Sequence, residues 1–574
     1  MSDRYRIAVD VGGTFTDIVV LNETTGRLTI DKASTTPENT INGVIAAIKK
    51  VGAEKLQAAK YFIHGSTTAL NALLEAKVVP TAYLATRGFR DVPEIGRGNR
   101  PEMYNAKYRK PPALVPRHLR FEVDERLDAR GGVVTKLDEA GAIEVIRTIR
   151  QTNVRAIAVC LLHAPRNPVH EQRLRELIHD HAPKLAVALS SSVAPEHREF
   201  ERGVTTILNA CLSPIVEQWV GDLQQALRDL GFSGEVVLTR SDGAGMTPEA
   251  VKRSPINMLL SGPAGGVMGG VCFSGSVGIK ELITADVGGT SFDVALIQDG
   301  KAATQQQASV NNYPVLISAL DIRTIGAGGG SLAAVDSGGA LHVGPQSASA
   351  IPGPICYRRG GVRPTVTDAF VVNGYIDPNR FLGGEMSLDV AGAEKGVSTY
   401  VAAPLKLSLH DGSSGILRLA TANMAEAVKG IASEVGADPR EYALLCFGGG
   451  GPLFGAFILD ELELSASIVP IAPSVYSAWG MLSIDLRHDL VRPHTSLLTD
   501  LQSSQLEKDY EELVRQGHAF LDAEDVPAER RSLELLADLR YVGQEHSMSV
   551  SIAKGVSSGG GFGFLAKARL RSSL

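Results

Sequence analysis

The 574-residue chain is 44% hydrophobic and 21% charged, which describes a globular protein of several domains. Its net charge of −6, with no long basic run, argues against nucleic acid and anionic membrane surfaces as partners. The five cysteines (Cys160, Cys211, Cys272, Cys356, Cys446) are far apart and form no Cys-x-x-Cys, so buried thiols in a reducing cytoplasm are expected rather than a disulfide framework or a zinc knuckle.

Residues Met1–Arg6 carry no signal-peptide h-region and run straight into a first apolar strand. No apolar run approaches a membrane span. The first element is an octet, Asp10-Val11-Gly12-Gly13-Thr14-Phe15-Thr16-Asp17, between the apolar runs Ile7–Val9 and Ile18–Leu21. It recurs at mid-chain as Asp286-Val287-Gly288-Gly289-Thr290-Ser291-Phe292-Asp293, again between apolar runs. Apolar run, Gly-Gly turn and apolar run read as a β-hairpin. Paired glycines allow backbone N–H groups to face an anion, and the hydroxyls of Thr14, Thr16, Thr290 and Ser291 can donate to phosphate oxygens. The flanking carboxylates would repel a phosphate unless a cation lay between, so the octets predict Mg²⁺ as well as a polyphosphate. Such a repeat signals two halves that clamp one ligand.

Next in order, Thr36-Pro37-Glu38 predicts a helix start with Ile41, Val44, Ile45 and Ile48 on one face. Tyr61–Ile63 predicts a strand, and His64-Gly65-Ser66-Thr67-Thr68 a turn into a helix from Ala69 to Lys77. That turn suits an anion or a simple Ser/Thr cap equally. Residues 86–116 are rich in Arg, Pro and Gly without periodicity; Arg87, Arg90, Arg97 and Arg100 could face an anion or water. Helix at Asp138–Ile149, strand at Val154–Leu162, helix at Pro168–His179 and strand at Leu185–Ser190 argue an α/β fold. A long helical pattern from Phe200 to Leu230 is expected to break at Pro214.

A second α/β pass starts near Glu235, followed by a glycine-rich turn at Ser261–Gly266 and the second octet. The glycine-rich Ile325–Ser331 follows, and then the Gly/Pro-rich stretch 338–364, which reads either as a long surface loop or as backbone that approaches a nucleotide. A helix at Ala422–Val435 precedes a strand at Tyr442–Phe447 that ends in Gly448-Gly449-Gly450-Gly451-Pro452 and a helix at Leu453–Leu462. Strand, four glycines and helix offer a close-approach turn for a nucleoside. The last stretch is helical at Gln505–Leu521 and strand-like at Leu535–Val550; residues Gly555–Leu574 read as a frayed tail. No Walker A loop, strand-linked G-x-G-x-x-G or His-x-x-x-His pair is present. Gly555–Gly559 fits G-x-S-x-G in the tail, where no His follows to complete a nucleophile elbow. His488 reads as structural.

The twin octets and the late glycine turn resemble the actin/sugar kinase/Hsp70-like ATPase architecture: α/β, two-lobed, with one phosphate-binding β-hairpin per lobe. Further stretches are similar to the A-type, ATP-binding subunits of the hydantoinase/oxoprolinase family: His64–Glu75, Thr86–Asp91, Val193–Glu196, Ser261–Gly266, Thr324–Ser331 and Pro364–Ala369. The resemblance implies a cytoplasmic, ATP- and Mg²⁺-dependent hydrolase that phosphorylates the carbonyl of a small cyclic amide (5-oxoproline, a hydantoin or a lactam) and works with a B-type subunit. It also admits a subunit of a ketone carboxylase; an actin-like ATP switch or a sugar kinase is the remaining alternative. On this resemblance Gly12, Gly13, Thr14 and Thr16 hold one side of ATP and Gly288, Gly289, Thr290 and Ser291 the other. Gly448, Gly449, Gly450 and Gly451 lie against the adenosine, Asp10 and Asp286 face Mg²⁺, Asp293 orients or deprotonates the attacking group, and Asn71 and Arg97 stand on the substrate side. Two departures stand out: Asp321-Ile322-Arg323-Thr324 where relatives read Asp-x-His-Thr, and a pattern that dissolves from Lys554 onward. Three consecutive domains are expected: 1–195 and 196–495, each with one hairpin, and a partial C-terminal domain 496–574.

Overall fold

The first octet folds as the tip of a hairpin formed by β1 (Tyr5–Val11) and β2 (Phe15–Asn22), paired antiparallel so that Asp10 faces Asp17. The structure is a computed structural model; it describes residues 3–572 apart from 13–14, 37–38, 100–101, 385, 494–495, 501–502, 525, 545–546 and 553–561. Adjacent strands β3 (Leu28–Ser34) and β4 (Ala59–Ser66) give the order β4-β1-β2-β3. The helix α1 (Thr40–Val51) follows β3. It begins at Thr40, with the Asn39 side chain accepting from the Ile41 N–H, rather than at Thr36; Pro37 and Glu38 lie outside the described residues.

A helix α2 (Ala264–Val277) leads to the second hairpin, β5 (Leu282–Val287) and β6 (Phe292–Gln298), with Asp286 opposite Asp293. The register repeats that of the first hairpin residue for residue. Strand β7 (Ile322–Ile325) pairs antiparallel with β6, and after α3 (Val366–Val372) and α4 (Leu409–Glu434) the strand β8 (Ala443–Phe447) pairs parallel with β5. The helices α5 (Gly451–Leu462) and α6 (Tyr476–Met481) complete the set. Because successive strand residues alternate faces, Ile283, Val287, Phe292 and Val294 enter one apolar core with Met424, Val428, Phe454 and Ile458. The opposite face of β5 and β6 carries Asp286 and Asp293, and behind them Ala295 packs on Ala264 and Val267 of α2.

The chain forms two compact units, neither of them continuous. Unit 1 takes Met1–Gly65, Gly262–Thr304 and Leu320–Ser483; unit 2 takes Ser66–Ser261, Gln305–Ala319 and Ile484–Leu574. Unit 1 therefore draws on the first two of the consecutive stretches expected above and unit 2 on all three, and both hairpins fall in unit 1.

In unit 2 a parallel sheet has the order Ala186–Leu189, Ala156–Cys160, Thr81–Thr86, Arg120–Val123. The long helix expected to break at Pro214 runs unbroken from Glu199 to Asp229. A proline costs a helix interior roughly 3 kcal/mol, and the burial of Ile207, Leu208, Val216, Val220 and Leu223 on both sides of it outweighs that local penalty. The helix predicted from Ala422 starts instead at Leu409, capped by the Ser408 hydroxyl; Gly412 and Gly415 had broken the periodic signal. The expected turn at His64–Thr68 is strand as far as Ser66, and the helix after it ends at Leu74. The supposed tail is also different. Phe562–Ser572 is a strand whose backbone pairs with Leu486–Arg492 on one side and Arg531–Tyr541 on the other, so both of its hydrogen-bonding edges are used; glycine and serine before it hid the strand. Gly555–Gly559 lies outside the described residues.

Candidate functional site

In unit 1 the two hairpins bring their carboxylates within electrostatic reach of one another. Asp10 titrates well above the ordinary carboxylate range because it is buried and because Asp17 and Asp286 repel its charge; Lys32 pulls it partly back. Asp286 is pushed up to about 7 by burial and by the charges of Asp293 and Asp17, against a hydrogen bond from Ser477. Burial also raises Asp17 and Asp293. Lys32, the residue opposite Asp17 on β3, places Nζ 2.8 Å from Asp17 Oδ1 and donates to the Ser474 carbonyl at 2.6 Å. Thr324 Oγ1 donates to Asp293 Oδ1 at 2.5 Å, Ser291 Oγ to Asp293 Oδ2 at 3.3 Å, and Ser477 Oγ to Asp286 Oδ2 at 3.3 Å. His64, buried and bonded to the Val9 carbonyl, is lowered to about 4 by burial and stays neutral.

The hairpin tips are built alike. Gly12 N–H donates to Phe15 O at 2.9 Å, and Gly288 N–H to Ser291 O at 3.0 Å. The second tip is braced from behind. Gly329 N–H donates to Gly288 O at 3.1 Å and Gly330 N–H to Gly289 O at 2.7 Å. A trans peptide holds its N–H opposite its C=O, so the N–H groups of Gly289 and Thr290 point away from this brace. Both residues are exposed, and among the described residues neither N–H has an acceptor. Two outward-facing donors are the geometry an anion would need, with their orientation imposed by Gly329 and Gly330. A Cβ on Gly328 would come 2.8 Å from Gly288 O, and one on Gly330 2.8 Å from Gly289 O, so the contact needs glycine.

The glycine turn after β8 lies against the same hairpin. Gly448 has φ +81°, and a Cβ there would fall 2.2 Å from Asp286 Oδ1 and 2.6 Å from the Val287 carbonyl. Gly450 N–H donates to Val287 O at 2.8 Å, and α5 starts at Gly451. The structure thus brings Asp10, Asp286, Asp293, Gly12, Gly288–Ser291 and Gly448–Gly451 into one unit; Gly13 and Thr14 lie outside the described residues.

Thr16 is a correction. It is fully buried, shares a face with Val11 rather than with Asp10 and Asp17, and its hydroxyl meets Thr35 Oγ1 at 3.1 Å under Gly43 of α1. The equivalent residue in the second octet is Phe292, wholly buried, which marks that position as inward-facing. Asn71 and Arg97 belong to unit 2, where Asn71 donates to Thr67 Oγ1 and Arg97 forks onto Glu201 at 2.6 and 3.1 Å. Arg100 lies outside the described residues. Arg323 sits opposite Val294 on the apolar face of β6 and pairs with Glu434 of α4, so the departure from Asp-x-His-Thr points away from Asp293, whereas the next residue, Thr324, faces it. In Ser261–Gly266, Gly265 serves helix packing: a Cβ there would meet Ser477 O at 2.5 Å. His488 bonds Glu524 at 2.8 Å and stacks on Phe520, a structural role. Lys32, Thr324, Ser477 and Gly328–Gly330 were missed, although Thr324–Ser331 stood out as a motif.

Among the described residues no three His, Cys, Asp or Glu side chains close on a point as a protein-only metal cage would. Carboxylates raised by burial and by neighbouring negative charge fit Mg²⁺ nonetheless, since that ion takes one or two carboxylates and completes its shell with water and phosphate.

The chain has an α/β fold with two equivalent carboxylate-and-glycine hairpins, the fold expected from the resemblance to actin, sugar kinases and Hsp70. The hydantoinase/oxoprolinase family description matches residues 202–490, and the hydantoinase/oxoprolinase N-terminal region matches residues 6–182. The caprolactamase subunit alpha of Pseudomonas jessenii is 33% identical over 96% of this chain and 81% of its own length. The acetophenone carboxylase gamma subunit of Aromatoleum aromaticum is 34% identical over 94% of this chain and 77% of its own. The crystal structure of the ATP-dependent caprolactamase from Pseudomonas jessenii superposes with a TM-score of 0.88 at 30% identity, covering 99% of this chain and 87% of that one. The chain belongs to the hydantoinase/oxoprolinase family. Among the described residues no helix is long and apolar enough to cross a membrane.

Proposed function

We propose that this chain is the ATP-binding subunit of an ATP-dependent hydrolase that phosphorylates the carbonyl oxygen of a cyclic amide, such as 5-oxoproline, a hydantoin or a lactam, for ring opening by water. The observation that carries the reading is the pair of same-register hairpins within one unit, where, besides burial, Asp17 and Asp286 raise Asp10, and Asp293 and Asp17 raise Asp286. An amide carbonyl is a poor electrophile at neutral pH. Phosphorylation of its oxygen makes the carbon attackable, so catalysis rests on alignment and on neutralising the phosphate charge.

In this reading Gly12, Gly13 and Thr14 hold one side of the phosphates, and Gly289, Thr290 and Ser291 the other. Asp10 and Asp286 would hold Mg²⁺, which when bound supplies the positive charge that draws electrons from the transferred phosphoryl group. Asp293, kept in place by Thr324 and Ser291, orients or deprotonates the attacking group. Gly448–Gly451 lie along the nucleoside. A B-type subunit completes the enzyme; the two relatives above are themselves named as subunits. A cytoplasmic location fits the five free thiols.

A second reading, a subunit of an ATP-dependent ketone carboxylase, is favoured by the similarity to the acetophenone carboxylase subunit, at 34% identity against 33% for the caprolactamase. The test is ATP turnover by the chain with a B-type partner across lactams, hydantoins, 5-oxoproline and ketones. Ring opening coupled one for one to ATP cleavage supports the hydrolase; turnover that needs ketone and bicarbonate supports the carboxylase; a stable phosphorylated product rejects both.

A further inference from the structure

The motif Pro364–Ala369 has no part in the chemistry above, yet its hydrogen bonds lead to the phosphate cradle. Thr365 and Asp368 form a reciprocal cap at the start of α3. The buried Asp368 carboxylate also accepts from the N–H groups of Cys356 at 2.8 Å and Ile355 at 3.2 Å, which fixes the first turn. Between them Thr367 directs two donors at one acceptor: its N–H and its Oγ1 each lie 2.8 Å from the Gly329 carbonyl.

From there the geometry runs through two peptide planes. The peptide whose C=O belongs to Gly329 carries the N–H of Gly330, which donates to Gly289 O at 2.7 Å. The peptide whose C=O belongs to Gly289 carries the N–H of Thr290, which faces the cradle. Each trans peptide is a dipole with acceptor and donor at opposite ends, so Thr367, Gly329–Gly330 and Gly289–Thr290 form one head-to-tail chain. A parallel chain begins at Ser331 N–H, which donates to Gly328 O at 3.1 Å. It continues through Gly329 N–H to Gly288 O at 3.1 Å and ends on Gly289 N–H. Hydrogen bonds aligned in this way polarise one another and hold the last donor in direction.

We infer that Thr367 is a positioning residue for ATP phosphate: it heads a chain of two peptide dipoles whose outer end is the Thr290 N–H. This rests on the nucleotide reading of the hairpins. The residue touches no phosphate; it sets the direction and strength of a donor that does. A threonine serves because one side chain adds an O–H beside the backbone N–H on the same carbonyl. Gly329 must be glycine because its Cβ would lie 2.9 Å from Thr367 Oγ1.

The test compares wild type, Thr367→Val, which keeps shape and the N–H but loses the O–H, and Thr367→Ser, which restores it. Affinities for Mg-ATP, Mg-ADP and adenosine are measured by calorimetry on the full chain. Expected is a roughly three- to tenfold loss for both nucleotides in Thr367→Val, as for one hydrogen bond, with adenosine binding unchanged and recovery in Thr367→Ser. With the partner present, KM for ATP rises while KM for the amide stays. Equal affinities in wild type and Thr367→Val, an equal loss for adenosine, or no recovery in Thr367→Ser overturns the inference. Wild type that binds no nucleotide overturns the functional reading instead. If Thr367→Val does not fold, Thr367→Ala, which likewise removes the O–H and keeps the N–H, is expected to show the same pattern.

Discussion

The substitution Asp286→Asn separates what the site costs from what it does. Asp286 rises from 3.8 to about 7, and at roughly 1.4 kcal/mol per pH unit the ionised carboxylate costs the ligand-free fold on the order of 4 kcal/mol. Asp286 keeps partial solvent access, so screening lowers the effective figure to about 1–3 kcal/mol. The sign follows from the raised value. The folded protein retains a proton that the unfolded chain gives up near pH 4, so this residue's contribution is full below that pH, falls as pH rises, and is lost above about 7. Asparagine has the same shape and keeps the acceptor for Ser477 without the charge. Without nucleotide and in EDTA, Asp286→Asn is therefore expected to melt roughly 2–5 °C above wild type at pH 8. The gain should be much smaller at pH 5, where the wild-type residue is protonated. ATP turnover should fall at least about a hundredfold. Scanning calorimetry at the two pH values and a phosphate-release assay give both readouts. A variant no more stable than wild type at pH 8, or a gain equal at both pH values, refutes the charge argument; unchanged turnover refutes the metal assignment.

Two further substitutions probe the hairpin's supports. Gly448→Ala puts a methyl where Asp286 Oδ1 would be 2.2 Å away, at a φ of +81°; we expect about 2 kcal/mol or more of destabilisation and at least tenfold weaker Mg-ATP binding, read by denaturant titration and calorimetry. Thr324→Val removes a donor that lowers the Asp293 pKa. The acid limb of the kcat profile should then move to higher pH, and Thr324→Ser should return it; an unmoved limb separates Asp293 from the rate.

What could be read in the sequence was local. Both hairpins, the strand and glycine turn at Ala443–Gly451 and most of the α/β alternation follow from apolar period and turn chemistry within a few residues. What could not be read depends on distant partners. The glycines at 328 and 330 gave no local reason for their identity because the atoms that require them, the carbonyls of Gly288 and Gly289, are about forty residues earlier. Pro214 stays helical because of tertiary burial on either side. The strand at Phe562–Ser572 is defined by two ladders to distant segments. Thr16 was misjudged for a simpler reason: strand alternation, and Phe292 at the equivalent place, already put it inside.

The crossing of α2 and α6 has a consequence for how this chain can vary. On α2 a Cβ at Gly265 would strike the Ser477 carbonyl at 2.5 Å, at Gly266 the Phe447 ring at 2.4 Å, and at Gly270 the Thr284 methyl at 2.7 Å; across the crossing, one at Gly480 would strike the Gly265 carbonyl at 2.0 Å. One turn further along, Gly275 has nothing within 4 Å. A single helix therefore carries positions where any side chain forces its neighbours to shift beside a glycine with open space around it. Since α6 also bears the serine that holds Asp286, these crowded positions map the ground on which the carboxylate stands.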